Sequence, residues 1–268
     1  MEIDFLIPSS VFTIVALSLL FYERIRDRMK TVLEDKKLGM REVVFMVFSM
    51  GVMVTIIALM PNYAIQILFI AAYSYMLLVF AYIILRKWFL ALLPPIIFIA
   101  SYLLIKNFFI MNVFAALFSI MVIVYLNSLF SWRVTIAFAL LLMIMDVVQV
   151  FWTGYMVEAA SKMISLQLPI ALILPTYPSY RFTALGLGDI FLSGLLSAQT
   201  ASKYGRKKGL ITAATISIAL FIFEILMLNM KVGVQGFPAT MIVLLGWLLG
   251  MGFIFLKEKH NIPLHRKT

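Results

Sequence analysis

Apolar residues run along this chain in long blocks, with polar residues gathered between them. Each block is about 17 to 23 residues long, close to the ~20 that a helix needs to cross a hydrocarbon core of roughly 30 Å. Nine blocks are read, near residues 5–22, 43–60, 64–85, 89–105, 108–126, 134–153, 184–201, 209–230 and 237–256. Barrel strands would alternate polar and apolar positions, and these blocks do not. The pattern therefore predicts an all-α membrane protein, a polytopic bundle of about nine transmembrane helices.

The connections divide the chain. Residues 23–42 are highly charged and are expected to be partly helical at the surface, whereas spans two to six follow one another through short links as one compact unit. The longest interior connection, 154–183, opens on an amphipathic stretch from Gly154 to Ser165 and continues with Pro169, Pro175 and Pro178, which no helix can run through. An apolar yet irregular segment cannot face lipid, which would leave its backbone unsatisfied, so it must lie on protein or line a cavity. Three units result: an N-terminal membrane bundle over 1–153, the proline-containing connection over 154–183, and a C-terminal membrane unit over 184–268. No internal repeat is visible, which counts against an inverted-repeat transporter.

Composition agrees, with 64% apolar residues, 13% charged residues and a mean hydropathy of +1.06. The absence of cysteine removes thiol nucleophiles, thiolate metal sites and disulfides. The two histidines, His260 and His265, fall in the polar C-terminal tail, so an intramembrane Ser-His or zinc-dependent site lacks its imidazole. Hydrolytic chemistry here would have to run on carboxylates, with no metal and no organic cofactor. The net charge of +10 reflects membrane flanks and not a nucleic-acid stripe. Eighteen of the 22 basic residues flank one side, and Lys106, Lys162, Arg181 and Lys231 flank the other. The positive-inside rule then places the C-terminus in the cytoplasm, with the N-terminus and the 154–183 connection outside. Glu2 and Asp4 precede the first block where a signal peptide would carry a basic region, so that block is read as a retained helix.

Asp146 and Asp189 stand out, because each sits inside an apolar run where an ionisable side chain is costly and usually functional. Brought together, two aspartates can share one proton, one acting as general base on water and the other polarising a carbonyl. Gly186 and Gly188, just before Asp189, lack a Cβ and let another backbone come close. Glu224 is read as an interior-facing polar group or one reaching for an interface. Glu158 is read as interfacial, and Asn127, Gln149 and Asn229 as packing or capping polar groups.

These residues resemble the presenilin and signal peptide peptidase family of GxGD intramembrane aspartyl proteases, most closely its prokaryotic presenilin-like members. The likeness runs through Asp146-Val147-Val148, Met156 to Ala159, the Ala184-Leu185-Gly186-Leu187-Gly188-Asp189 block and Pro238-Ala239. Met145 stands where that family usually has Tyr, and Thr240 where its Pro-Ala-Leu has Leu. The resemblance implies a presenilin-like fold and an endopeptidase that cuts transmembrane segments or signal peptides in a prokaryotic plasma membrane. It implies Asp146 and Asp189 as the catalytic dyad, and Leu185, Gly186, Leu187, Gly188, Pro238 and Ala239 as substrate-binding. It also implies that the stretch from Tyr180 to Leu185 pairs with the opened substrate by strand addition, with Leu185 and Leu187 touching substrate side chains. Partners would be transmembrane peptides and lipid, and self-association is left open. Two readings compete: a prepilin- or preflagellin-type GxGD peptidase, and a proton- or cation-coupled transporter using Asp146, Asp189 and Glu224.

Overall fold

The chain is described by a computed structural model over residues 2–33, 37–105, 107–229 and 237–260. Lys106, Lys231, His265 and the last basic residues of the tail lie outside this set. The apolar blocks fold as helices α1 (Leu6–Leu33), α2 (Met40–Leu59), α3 (Asn62–Leu85), α4 (Trp88–Ala91), α5 (Leu93–Leu104), α6 (Phe108–Leu129) and α7 (Trp132–Val147). A π-helical turn, Val148–Thr153, leads into α8 (Tyr155–Ser165); strands β1 (Ala171–Pro175) and β2 (Phe182–Gly186) precede α9 (Leu187–Tyr204), α10 (Arg206–Asn229) and α11 (Ala239–His260). Among the described residues, seven helices are long and apolar enough to cross a membrane. The protein is thus an all-α polytopic membrane bundle carrying one short hairpin.

The two expected spans that miss this measure do so for physical reasons. Residues 88–104 are apolar but short, and they break at Leu92 because Pro94 and Pro95 supply no N–H to the preceding turn. Helix α9 has only 18 residues and carries Ser193, Ser197, Gln199 and Thr200, yet all four are buried. It packs against α1, α6, α7, α10 and α11, so its polar residues meet protein and not lipid. Ser193 and Thr200 donate to the carbonyls of Asp189 and Leu196 in their own helix, 2.7 and 2.8 Å away. Helices α10 and α11 approach closely through Gly246 and Gly250, where added Cβ atoms would meet Ile216 Cα at 2.7 Å and Thr215 Oγ1 at 2.3 Å.

Span seven was expected to begin at residue 184, but residues 182–186 form β2 and the helix starts at Leu187. The prolines upstream stop helix formation, and pairing with β1 gives the backbone of Phe182–Gly186 its partners instead. The first connection is helical in part, as expected, since α1 continues to Leu33. Contacts sort the connections into the same two ends that the charge bias separates. At one end Ile3 pairs with Tyr177, and Asn229 Nδ2 donates to Glu2 O at 2.8 Å. At the other, Arg206 pairs with Glu23 at 3.3 Å and Lys37 Nζ donates to Ser128 O at 2.6 Å.

Candidate active site

Asp146 is the penultimate residue of α7, and the helix widens into its π-helical turn directly after it. Such turns recur at functional sites because they displace side chains from the regular spacing. Within the turn, Gln149 Nε2 donates to Gly51 O on α2 at 2.7 Å. A Cβ on Gly51 would lie 2.0 Å from Met145 Cε, so Met145 fills the groove that the glycine leaves. The helix bearing Asp146 is therefore fastened to α2 on one side. On another side Thr240 Oγ1, in the first turn of α11, donates to Asp146 Oδ2 at 2.7 Å. Among the described residues Asp146 Oδ1 is buried with no hydrogen-bond partner.

Asp189 occupies the first turn of α9, where the partial positive charge of the helix N-terminus favours a carboxylate. Gly186 caps that helix, and a Cβ there would sit 3.6 Å from Asp189 Oδ2; at Gly188 nothing among the described residues lies within 4 Å of an added Cβ. Asp146 and Asp189 are 5% and 8% exposed. They are near enough to interact electrostatically, and both line a cavity of about 480 Å³. Gly186, Gly188 and Thr240 share that wall, which is otherwise largely apolar and rich in methionine at Met46, Met50, Met145 and Met156. Two carboxyls in an apolar chamber of this size can hold a water between them and shelter it from lipid.

The hairpin beside the cavity has one closed edge and one open edge. Thr176 N donates to Arg181 O at 2.6 Å and Leu187 N to Ile170 O at 2.9 Å, which fixes the parity of the antiparallel pairing. Positions 172 and 174 of β1 thus face 185 and 183 of β2, while 171, 173 and 175 turn their backbone groups to the outer edge of β1. That edge is closed: Asn112 on α6 accepts from Ile173 N at 2.9 Å and donates to Ile173 O at 2.7 Å, and Pro175 has no N–H to offer. Phe182 and Ala184 turn their backbone groups away from β1, and among the described residues no third strand pairs with β2. The open edge leads into the cavity at Gly186. Its outer end is braced by the fully buried Asp4, whose Oδ2 accepts from Thr183 Oγ1 at 2.5 Å while Oδ1 caps α1 through Leu6 N and Ile7 N.

Of the residues singled out in the sequence, Asp146, Asp189, Gly186 and Gly188 meet at the cavity. Pro238 and Ala239 open α11 and carry Thr240 to Asp146. Leu185 and Leu187, expected to touch substrate side chains, are both buried, at 6% and 5% exposure, in the main core. Leu185 turns inward from β2 and Leu187 from the first position of α9, so these side chains pack on the bundle and leave the cavity wall to the glycines. Glu158 is half-exposed and pairs with Lys162 at 3.1 Å, and Glu224 is partly buried in α10. Gln149, read as a packing polar group, and Asn112 were missed as parts of the site. The one available signal was the position of Gln149 three residues after Asp146.

A sequence profile of the signal peptide peptidase family matches residues 3–245, nearly the whole described chain and all of the residues above. The chain belongs to the signal peptide peptidase family. It is an intramembrane aspartyl protease, a hydrolase of the presenilin-like GxGD type, and nothing favours the pilin-leader or transporter readings. No individual curated protein matches it. The protease family acts on transmembrane peptide substrates, and the bundle is an integral, multi-pass membrane protein.

Proposed function

We propose that Asp146 and Asp189 are the catalytic dyad of this protease and that it cleaves transmembrane segments of other proteins or leftover signal peptides. The observation supporting this reading is that both carboxyls open on one apolar cavity at the end of an open strand edge. One carboxyl, ionised, takes a proton from water as the water oxygen bonds to the scissile carbonyl carbon, and the other gives its proton to the carbonyl oxygen. The resulting diol collapses with cleavage of the C–N bond. The nitrogen leaves with the proton held by the first carboxyl, and a diol hydroxyl restores the proton of the second. Atoms and charges balance without a metal or organic cofactor.

A helical peptide bond is sheltered by its own turn, so the substrate must open before it is cut. We infer that the opened segment adds to the outer edge of β2, hydrogen-bonding to the backbone at Phe182 and Ala184. Gly186 and Gly188 keep side chains off its path, and Pro238 and Ala239 border the dyad through α11. The charge bias supports an orientation with the hairpin outside and the C-terminus in the cytoplasm, and the likeness to prokaryotic members supports a plasma-membrane location. The test is turnover of a reconstituted helical substrate. Asp146→Ala and Asp189→Ala are each expected to lose cleavage while keeping the wild-type thermal unfolding profile; retained turnover in either refutes the dyad.

A further inference from the structure

Among the described residues, one of the four oxygens of the two carboxyls receives a hydrogen bond: Asp146 Oδ2, from the hydroxyl of Thr240 at 2.7 Å. Thr240 is 3% exposed, so the bond lies within the protein. Its place in the helix matters too. Buried hydroxyls elsewhere in the bundle, such as Ser119, Ser193 and Thr200, return their proton to the carbonyl four residues earlier. Thr240 is the second residue of α11, so no helical carbonyl stands four residues behind it and its proton is free to reach across to α7.

We infer that Thr240 is a positioning residue that breaks the symmetry of the dyad, making Asp146 the general base and Asp189 the general acid. The inference rests on Asp146 and Asp189 being that dyad. A hydroxyl that donates to Oδ2 requires that oxygen to be unprotonated and favours the charged form of its carboxyl. Both aspartates also lie by the first turn of a helix, Asp189 in α9 and Asp146 against α11, so the helix dipoles do not distinguish them. The hydroxyl does. With one proton between the two groups, that proton resides on Asp189, which delivers it to the carbonyl oxygen. Asp146 Oδ1, buried and without a partner among the described residues, is the oxygen that takes the proton from water. Thr240 ties Asp146 to α11, while the Gln149–Gly51 bond ties the following turn to α2, so the carboxyl is held from two neighbouring helices.

The test compares Thr240→Val, which keeps the shape and removes the donor, with Thr240→Ser, which keeps the donor, in the full-length reconstituted protein with a helical substrate. Thr240→Val is expected to lower kcat about tenfold or more with KM nearly unchanged, since the lost interaction belongs to the reacting state. Thr240→Ser is expected to restore kcat to within about threefold of wild type. Thr240→Ala serves in place of Val if the valine variant does not fold. A wild-type kcat in Thr240→Val, or a loss in Thr240→Ser equal to that in Thr240→Val, overturns the inference. Asp146→Ala and Asp189→Ala in the same assay separate this from failure of the dyad itself: turnover in either removes the premise, whereas inactive alanine variants with an unaffected Thr240→Val remove only the role of Thr240.

Discussion

Replacing Asn112 by Ala tests whether the hairpin is built with one usable edge. The side chain makes two hydrogen bonds to Ile173, 2.9 Å from its N and 2.7 Å from its O. Without them both backbone groups lose their protein partners in a half-buried setting. A buried group left unsatisfied costs about 1–3 kcal/mol, and partial access to water reduces this, so the pair together contributes about 2 kcal/mol to holding β1 on α6. That energy corresponds to about a thirtyfold rise in the population of the locally opened hairpin. Hydrogen exchange followed by mass spectrometry on the purified protein reads this directly. Peptides covering β1 and β2 should exchange faster by about that factor, with the middle of α6 unchanged. Cleavage efficiency should fall as well, because the variant presents a second, unproductive edge and holds the first less firmly. Unchanged exchange across the hairpin in Asn112→Ala would refute the reasoning.

Two further substitutions separate stability from function. At Gly188 an added Cβ meets nothing within 4 Å, so Gly188→Ala should leave thermal unfolding unchanged or raise stability by up to about 1 kcal/mol through helix propensity, while Gly188→Leu, projecting into the cavity, should abolish cleavage without unfolding the protein. Full turnover in Gly188→Leu would show that substrate does not pass there. Asp4→Ala removes the cap of α1 and the bond to Thr183 together, at a cost of about 2 kcal/mol seen as a lower Tm, and Asp4→Asn should recover most of it because its amide oxygen still caps the helix. A wild-type Tm in Asp4→Ala would contradict that account.

What the sequence made legible follows from how each signal arises. Long apolar blocks announce membrane helices because lipid imposes the length and the polarity on each segment separately, and α2, α3, α6, α10 and α11 lie within a few residues of their expected bounds. Asp146 and Asp189 were visible because a carboxylate in an apolar run has no inexpensive neutral explanation. The hairpin was only half visible: Pro169, Pro175 and Pro178 excluded a helix, but the pairing of Ala171 with Gly186 depends on residues fifteen apart in sequence. For that reason the expected start of span seven lies three residues before the helix, and the burial of Leu185 and Leu187 in the core is set by tertiary packing. Asn112, Gln149 and Thr240 gave little warning. Uncharged polar side chains are common in membrane helices, and whether one meets its own helix or a neighbouring backbone is decided by tertiary packing.

The most direct measurement is an experimental structure of the protease bound to a peptide carrying a hydroxyl-containing transition-state isostere at the scissile position. The isostere hydroxyl should lie within about 3 Å of carboxyl oxygens of both Asp146 and Asp189, with the flanking peptide extended along the backbone at Ala184. A peptide bound as an unbroken helix, or a hydroxyl that touches neither aspartate, would contradict the account.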